Sequence, residues 1–287
     1  MPERKADMIC GIPTLMEFSD AEVLTRFCAE QGFDFVEMNM TFPWFQPDRI
    51  TPNAIRLLKQ RYGVEFTVHL HDQVNPFEFS PDIRQGCLEN AVWAMRLARE
   101  LDLSRLNMHL MPGTYSSING VKTYLYAFCE DIYLGHVRAF RDLAEKELEG
   151  CDTVFCIENT SGFHPFQRQA IELLLGSERF GLTFDIGHSF RTGGKDELFI
   201  LEHKDRLRHF HIHDCSENAN HLGFGEGQLD LARYLNMAKD LGSTVVAEVK
   251  ESRALLRSRE YMIRCGLRQS PQTFIPAHDY SGKEATK

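Results

Sequence analysis

The sequence predicts an α/β fold: a single (β/α)₈ TIM barrel over residues 1–268. Eight short apolar, β-branched or aromatic runs recur along the 287 residues, and each is followed by a segment of helical periodicity. Strands alternating with helices imply parallel strands joined by crossover helices, and eight such units close a barrel. An open doubly wound sheet is the alternative. It usually brings a G-x-G-x-x-G turn after its first strand, and the first run, "MICGIPT", is followed by none.

The strands are expected at 8–14, 33–40, 65–71, 105–111, 154–159, 181–188, 207–214 and 244–250. The first helix, "SDAEVLTRFCAEQG", starts on a Ser/Asp cap and stops at Gly32. In "SPDIRQGCLENAVWAMRLARELD", Ile83, Leu88, Ala91, Val92, Met95, Ala98 and Leu101 fall near one face. A long helical region is expected over 117–149. Further helices are expected near 53–62, 165–176, 228–241 and 252–264, with a short one near 195–203. No linker divides the chain. The polar tail, 269–287, is expected to be an extended or disordered appendage.

Composition narrows the function classes. With 32 Lys+Arg against 41 Asp+Glu the net charge is −9, so the chain has no general attraction for a phosphate backbone, and nucleic acid is not the expected partner. Eight cysteines, none in a C-x-x-C pair and several inside apolar runs, suit reduced buried thiols. The N-terminus lacks the apolar core of a signal peptide, and no apolar run reaches membrane-span length. A cytoplasmic protein without a membrane partner is the expectation.

The strand ends are unusually polar. Side chains alternate along a strand, so in "HFHIHD" His209, His211 and His213 share one face and Phe210 and Ile212 the other. The apolar pair belongs against the helices, so the histidines point into the barrel. Glu248 and Lys250 share a face, as do Cys156 and Glu158. Asp185 lies near the end of strand six, with His188 just past it. His69 and His71 share a face in strand three, and His109 comes late in strand four. Strands three to eight thus each bring an acid or imidazole to the end where barrel enzymes keep their sites. Unpaired buried charges cost on the order of several kcal/mol each, and a divalent cation relieves that cost. Carboxylate with imidazole and no thiolate suits one ion of Mn²⁺, Mg²⁺, Co²⁺, Fe²⁺ or Zn²⁺. A lone Glu37 reads instead as a salt-bridged group or as one that supports a ligand from behind.

Taken in order, "IENT" (157–160), "FDIGH" (184–188), "HIHD" (211–214), "FGEGQLD" (224–230) and "AEV" (247–249) resemble the xylose-isomerase-like barrel superfamily over about residues 8–250. That superfamily includes sugar-phosphate isomerases, ketose 3-epimerases, inosose dehydratase and, more distantly, endonuclease IV. The resemblance implies a metal held by Glu158, Asp185, His211 and Glu248, with His188 touching substrate. It implies a metal-dependent isomerase or epimerase acting on a small sugar, sugar phosphate or polyol through an enediolate. Glu158 and Glu248 would remove and return the proton. An inosose dehydratase-like lyase shares the first step.

His71 and His109 are candidates for touching substrate; the endonuclease branch adds metal-binding histidines on strands three and four, which His69 or His71, and His109, match. His221 matches its loop histidine, but Ala219 stands where that branch has an aspartate. Ketose 3-epimerases carry an arginine soon after the strand-seven histidine, whereas this chain reads "DCSENAN". Arg191 is a candidate replacement, or an exposed loop residue, and Lys250 could donate toward the same pocket. The glycines of "GFGEG" either offer N–H groups to an anion or shape a turn. Trp44 and Phe45, in "TFPWFQP", are candidates for a lid or substrate wall, or for packing on a second subunit of a homo-oligomer.

Overall fold

The computed structural model describes residues 8–269. In chain order the strands are β1 (Cys10–Pro13), β2 (Phe35–Asn39), β3 (Glu65–His69), β4 (Arg105–His109), β5 (Tyr115–Ile118), β6 (Val121–Tyr124), β7 (Val154–Glu158), β8 (Phe180–Asp185), β9 (Leu207–Ile212) and β10 (Thr244–Ala247). Eight of them form a closed parallel barrel in the order β1-β2-β3-β4-β7-β8-β9-β10, with β10 returning to β1. This is the TIM barrel that the alternation predicts. The register sets His109 beside Glu158 and Asp185 beside His211. Neighbouring strands therefore deliver their polar ends at one level.

The helices are α1 (Ala21–Glu30), α2 (Pro52–Tyr62), α3 (Pro81–Leu101), α4 (Leu125–Phe128), α5 (Glu130–Glu147), α6 (Pro165–Leu175), α7 (Ile186–Arg191), α8 (Glu197–Glu202), α9 (Leu231–Leu241) and α10 (Ser252–Arg264). Local chemistry starts and stops them. Asp20 Oδ1 accepts from the N–H groups of Glu22 and Val23 at 2.7 and 3.1 Å, which starts α1. Thr51 and Asp230 cap α2 and α9 in the same way. The outward faces of the strands supply the core beneath the helices: Leu106, Phe155, Ile157, Leu182, Phe184, Phe210 and Ile212 are fully buried. Each such side chain stabilises the fold by about 1.5–3 kcal/mol relative to exposure. The inward faces are polar, with Glu37, Thr67, His69, Asn107, Glu158, Thr183, Asp185, His209 and His211 all buried.

Two expectations need correction. The long helix expected over 117–149 begins only with α4 and α5. Residues 115–124 form the antiparallel hairpin β5–β6. Its turn is Asn119–Gly120, with φ of 51° and 80°, the pair of positive φ values that a two-residue hairpin turn demands. Strand six was expected to run to 188, but β8 stops at Asp185, whose carboxylate caps α7 by accepting from the N–H of His188 at 2.7 Å. Gly187, at the start of α7, lets the His213 ring pack against the backbone, since a Cβ there would lie 1.8 Å from that ring.

All eight cysteines are free thiols. Among the described residues, no helix is long and apolar enough to cross a membrane. The tail expected at 269–287 lies, from residue 270 onward, outside the described residues.

Candidate metal centre

Glu158 ends β7, Asp185 ends β8, His211 lies near the end of β9, and Glu248 directly follows β10. One potential ligand atom from each lies within 4.8 Å of those of the other three. The barrel interior fixes these side chains one by one. Glu158 Oε2 accepts from the Asn107 amide and lies 3.2 Å from His69 Nε2. Asn107 is itself held by Thr183 Oγ1, which donates to Asn107 Oδ1 at 2.6 Å. These contacts leave Glu158 Oε1 facing His211 Nδ1 at 3.2 Å. Asn159 clasps the backbone of Asp185, donating to its carbonyl and accepting from its N–H, both at 2.9 Å. Asp185 Oδ1 also lies 3.3 Å from His213 Nε2. Glu248 Oε1 pairs with Lys250 Nζ at 2.8 Å, and its Oε2 faces His211 Nδ1 at 3.4 Å.

The donor set fits a divalent cation. Asp185 Oδ2, His211 Nδ1 and Glu248 Oε2 are buried without a hydrogen-bond partner among the described residues. Such orphaned atoms cost about 1–3 kcal/mol each, more when charged. Here they come from the ends of β8 and β9 and from the residue after β10, and converge with Glu158 Oε1. Three carboxylates and one imidazole suit the hard or borderline ions.

Electrostatics follow the geometry. Burial alone would raise Glu158 and Glu248. His211 and His109 outweigh burial at Glu158, and Lys250 and His211 outweigh it at Glu248, so both carboxyls lie well below the usual carboxylate range. Burial alone would lower His211, but Glu158, Glu37 and Glu248 raise it well above the ordinary histidine value. These carboxylates favour the protonated ring of His211. His69 is lifted to about 9 against burial by its contact with Glu158.

The remaining candidates divide. His188 Nδ1 lies 3.3 Å from Asp185 Oδ2 and 3.7 Å from Glu158 Oε1, inside the cluster. His109 Nε2 lies 3.6 Å from Glu158 Oε2. Lys250 reaches the site through Glu248. His71 does not join it: β3 ends at His69, the chain turns, and His71 Nδ1 accepts from the N–H of Gln73 at 3.1 Å. Arg191 is exposed at the end of α7 and makes none of the cluster's contacts.

Trp44 lines a separate cavity of about 550 Å³ beside α1 and α2, with Arg49 and Arg61, and Phe45 is buried core rather than a lid. The aromatic at the strand ends is Phe42. It lines a cavity of about 260 Å³ together with Glu37, Asn39, His69, Asp72, Glu248 and Lys250. The "GFGEG" glycines cradle no free anion. The N–H groups of Cys215, Gly225, Gly227 and Leu229 all donate to the buried carboxylate of Asp214, at 2.8–3.1 Å.

His221 has a positive φ of 53°. Its N–H donates to His213 Nδ1 at 3.2 Å, and its ring Nδ1 is 3.0 Å from the Glu248 carbonyl oxygen. Burial pushes its pKa down to about 4. Sequence reasoning passed over Asn107 and Asn159. The signal for Asn107 was its place two residues before His109, on the same inward face. Asn159 stands in "IENT" directly after the ligand position.

A closed parallel barrel with an acid–imidazole cluster at its C-terminal mouth defines the class. The sequence matches the family described as Xylose isomerase-like TIM barrel over residues 25–268, and the chain belongs to that family. It is similar to the uncharacterized protein MJ1311 of Methanocaldococcus jannaschii, 26% identical over 270 residues covering 89% of this chain and 88% of that one. Among solved structures it resembles a D-tagatose 3-epimerase-like protein, with TM-score 0.70, 22% identity, and 90% and 97% of the two chains covered. It also resembles the IOLI protein, solved with a bound zinc atom, with TM-score 0.69, 12% identity, and 93% and 100% covered.

Proposed function

We propose that this protein is a divalent-metal-dependent isomerase or epimerase of a small sugar, or sugar phosphate, moving a proton at the carbon next to a carbonyl. The observation that carries this is the set of three orphaned buried atoms, on Asp185, His211 and Glu248, converging with Glu158 at the mouth of the barrel. A cation bound there supplies Lewis acidity toward a carbonyl oxygen. Glu158, Asp185, His211 and Glu248 hold it. The chain's own residues do the rest. Glu248 is the more open of the two candidate bases, 15% exposed against 1% for Glu158, and takes the substrate proton from the cavity side. In an epimerase Glu158, fixed by Asn107, returns a proton from the opposite side after taking it from the protonated His69 beside its Oε2, while Glu248 passes its own proton to solvent; in an isomerase Glu248 returns the proton it removed. His188, inside the cluster, and Lys250, on the cavity wall, orient the substrate hydroxyls. The similarity to epimerase-like and zinc-bound structures supports this reading.

The test is metal-dependent exchange of a substrate C–H with deuterated solvent, screened over ketoses, aldoses and their phosphates. The expected result is exchange with Mn²⁺, Co²⁺ or Mg²⁺ that falls about 10²–10⁴-fold in Glu248→Gln. No exchange with any substrate and ion counts against the proposal. A lyase on a polyol ketone would begin with the same proton removal, and loss of water, read as a mass change, separates it. One further observation bears on the endonuclease reading: His69, Asp72 and His109 lie close enough to hold another ion beside Glu158. Several zinc ions per chain with nicking at abasic sites would favour that reading, and one ion without nicking removes it.

A further inference from the structure

We infer that Glu37 is a positioning residue that presents Nδ1 of His211 to the cation by occupying its Nε2 side; the inference rests on the metal reading above. Glu37 sits on β2, across the barrel from β9, and its carboxylate lies among buried side chains. Its Oε1 is 3.0 Å from His211 Nε2, within ion-pair distance but without the alignment of a hydrogen bond. Its Oε2 is 3.1 Å from His209 Nε2, and Thr67 Oγ1 donates to it at 3.4 Å. His209 Nδ1 is in turn 2.6 Å from Thr244 Oγ1. A chain of contacts therefore runs from β10 through β9 to β2 and back to β9, ending at the candidate ligand.

The chemistry of the partners fixes the hydrogens. An ionised carboxylate only accepts, and a neutral imidazole carries one N–H and one lone pair. Facing Glu37, Nε2 of His211 carries the hydrogen, so the lone pair falls on Nδ1. That is the nitrogen facing Glu158 and Glu248. A carboxylate behind a ligating imidazole fixes both ring orientation and tautomer, and losing it typically weakens metal binding by about 10–100-fold. Glu37, His209 and His211 also lie close enough to hold an ion of their own. Such an ion would need the Nε2 lone pair, which makes the two arrangements mutually exclusive at His211.

The experiment uses the full chain loaded with Zn²⁺ and labelled with ¹⁵N, read by long-range ¹H–¹⁵N correlation of the histidine rings. The expected result is His211 with a protonated Nε2 and a metal-shifted Nδ1; a metal-bound Nε2 overturns the inference. Chelator competition then compares variants whose fold is checked by circular dichroism. Glu37→Met is expected to bind Zn²⁺ about 10–100-fold more weakly. Glu37→Gln, which keeps a polar oxygen of the same reach facing His211 Nε2 but no charge, should recover part of that loss. A folded Glu37→Met that binds within twofold of wild type also overturns the inference. If Glu37→Met fails to fold, the ring spectrum of the wild-type protein decides alone. If wild-type protein takes up no Zn²⁺, the metal reading itself fails; normal uptake with unchanged variants sinks only the role of Glu37.

Discussion

His211 sits between three carboxylates, and its proton competes directly with a cation. Burial favours the neutral ring, but Glu158, Glu37 and Glu248 hold the pKa well above the ordinary histidine value. A cation binds only the neutral imidazole, so binding near neutral pH releases that proton. The sign follows: affinity rises with pH, by about tenfold per unit while one proton is displaced, and levels off above the raised pKa. Calorimetry in buffers of different ionisation enthalpy measures the release; uptake without proton release, or affinity falling with pH, contradicts the account. At this scale the sequence was legible where a side chain faced inward near a strand end, as for Glu158, Asp185 and His211. It was not legible where a strand stopped early. His71 shares the alternation of His69, but the chain leaves the sheet between them.

At the scale of elements, the segment after β9 is organised around one buried acid. Asp214 accepts four backbone N–H groups and thereby folds residues 215–229 back over the barrel mouth. Asp214→Ala leaves those donors unpaired and is expected to destabilise the protein by about 3 kcal/mol, measured by urea unfolding. It should also loosen His221, whose ring Nδ1 contacts the Glu248 carbonyl oxygen. A loss below about 0.5 kcal/mol would show that Asp214 does not hold the loop. The glycines of "GFGEG" were visible in the sequence, but the carboxylate that fills their turn lies eleven residues before Gly225, and only the fold brings them together. The hairpin β5–β6 gave the opposite lesson. Its Asn-Gly signal is local, but it was submerged in the helical pattern that follows. Gly120→Val, forced into a φ of 80°, is expected to cost about 1–3 kcal/mol without changing metal affinity. A concurrent loss of metal binding would tie the hairpin to the site.

At the scale of the whole molecule, the alternation of eight strands with helices was enough to predict the barrel, because a period-2 pattern and a crossover segment repeat in every unit. The clasp that ties the segment after α10 to β1 and the start of β2 was not visible. Arg268 Nη1 lies 2.6 Å from Asp34 Oδ2 and reaches the carbonyl oxygens of Met8 and Cys10, while Nη2 reaches that of Gly32. Asp34 Oδ2 also accepts from the N–H of Cys10 at 2.7 Å. These partners lie more than 230 residues from Arg268 in sequence, beyond any local signal. Arg268→Ala is expected to cost about 2 kcal/mol, read as a lower urea midpoint with an unchanged slope.

The central claim is that four strand ends form one cation site. The most direct measurement is anomalous diffraction from crystals of the full chain grown with Mn²⁺ or Zn²⁺. A single site at these strand ends gives a peak bounded by Glu158, Asp185, Nδ1 of His211 and Glu248, and its loss in His211→Ala. A peak confined to His69, Asp72 and His109, or none at all at saturating metal, would contradict it.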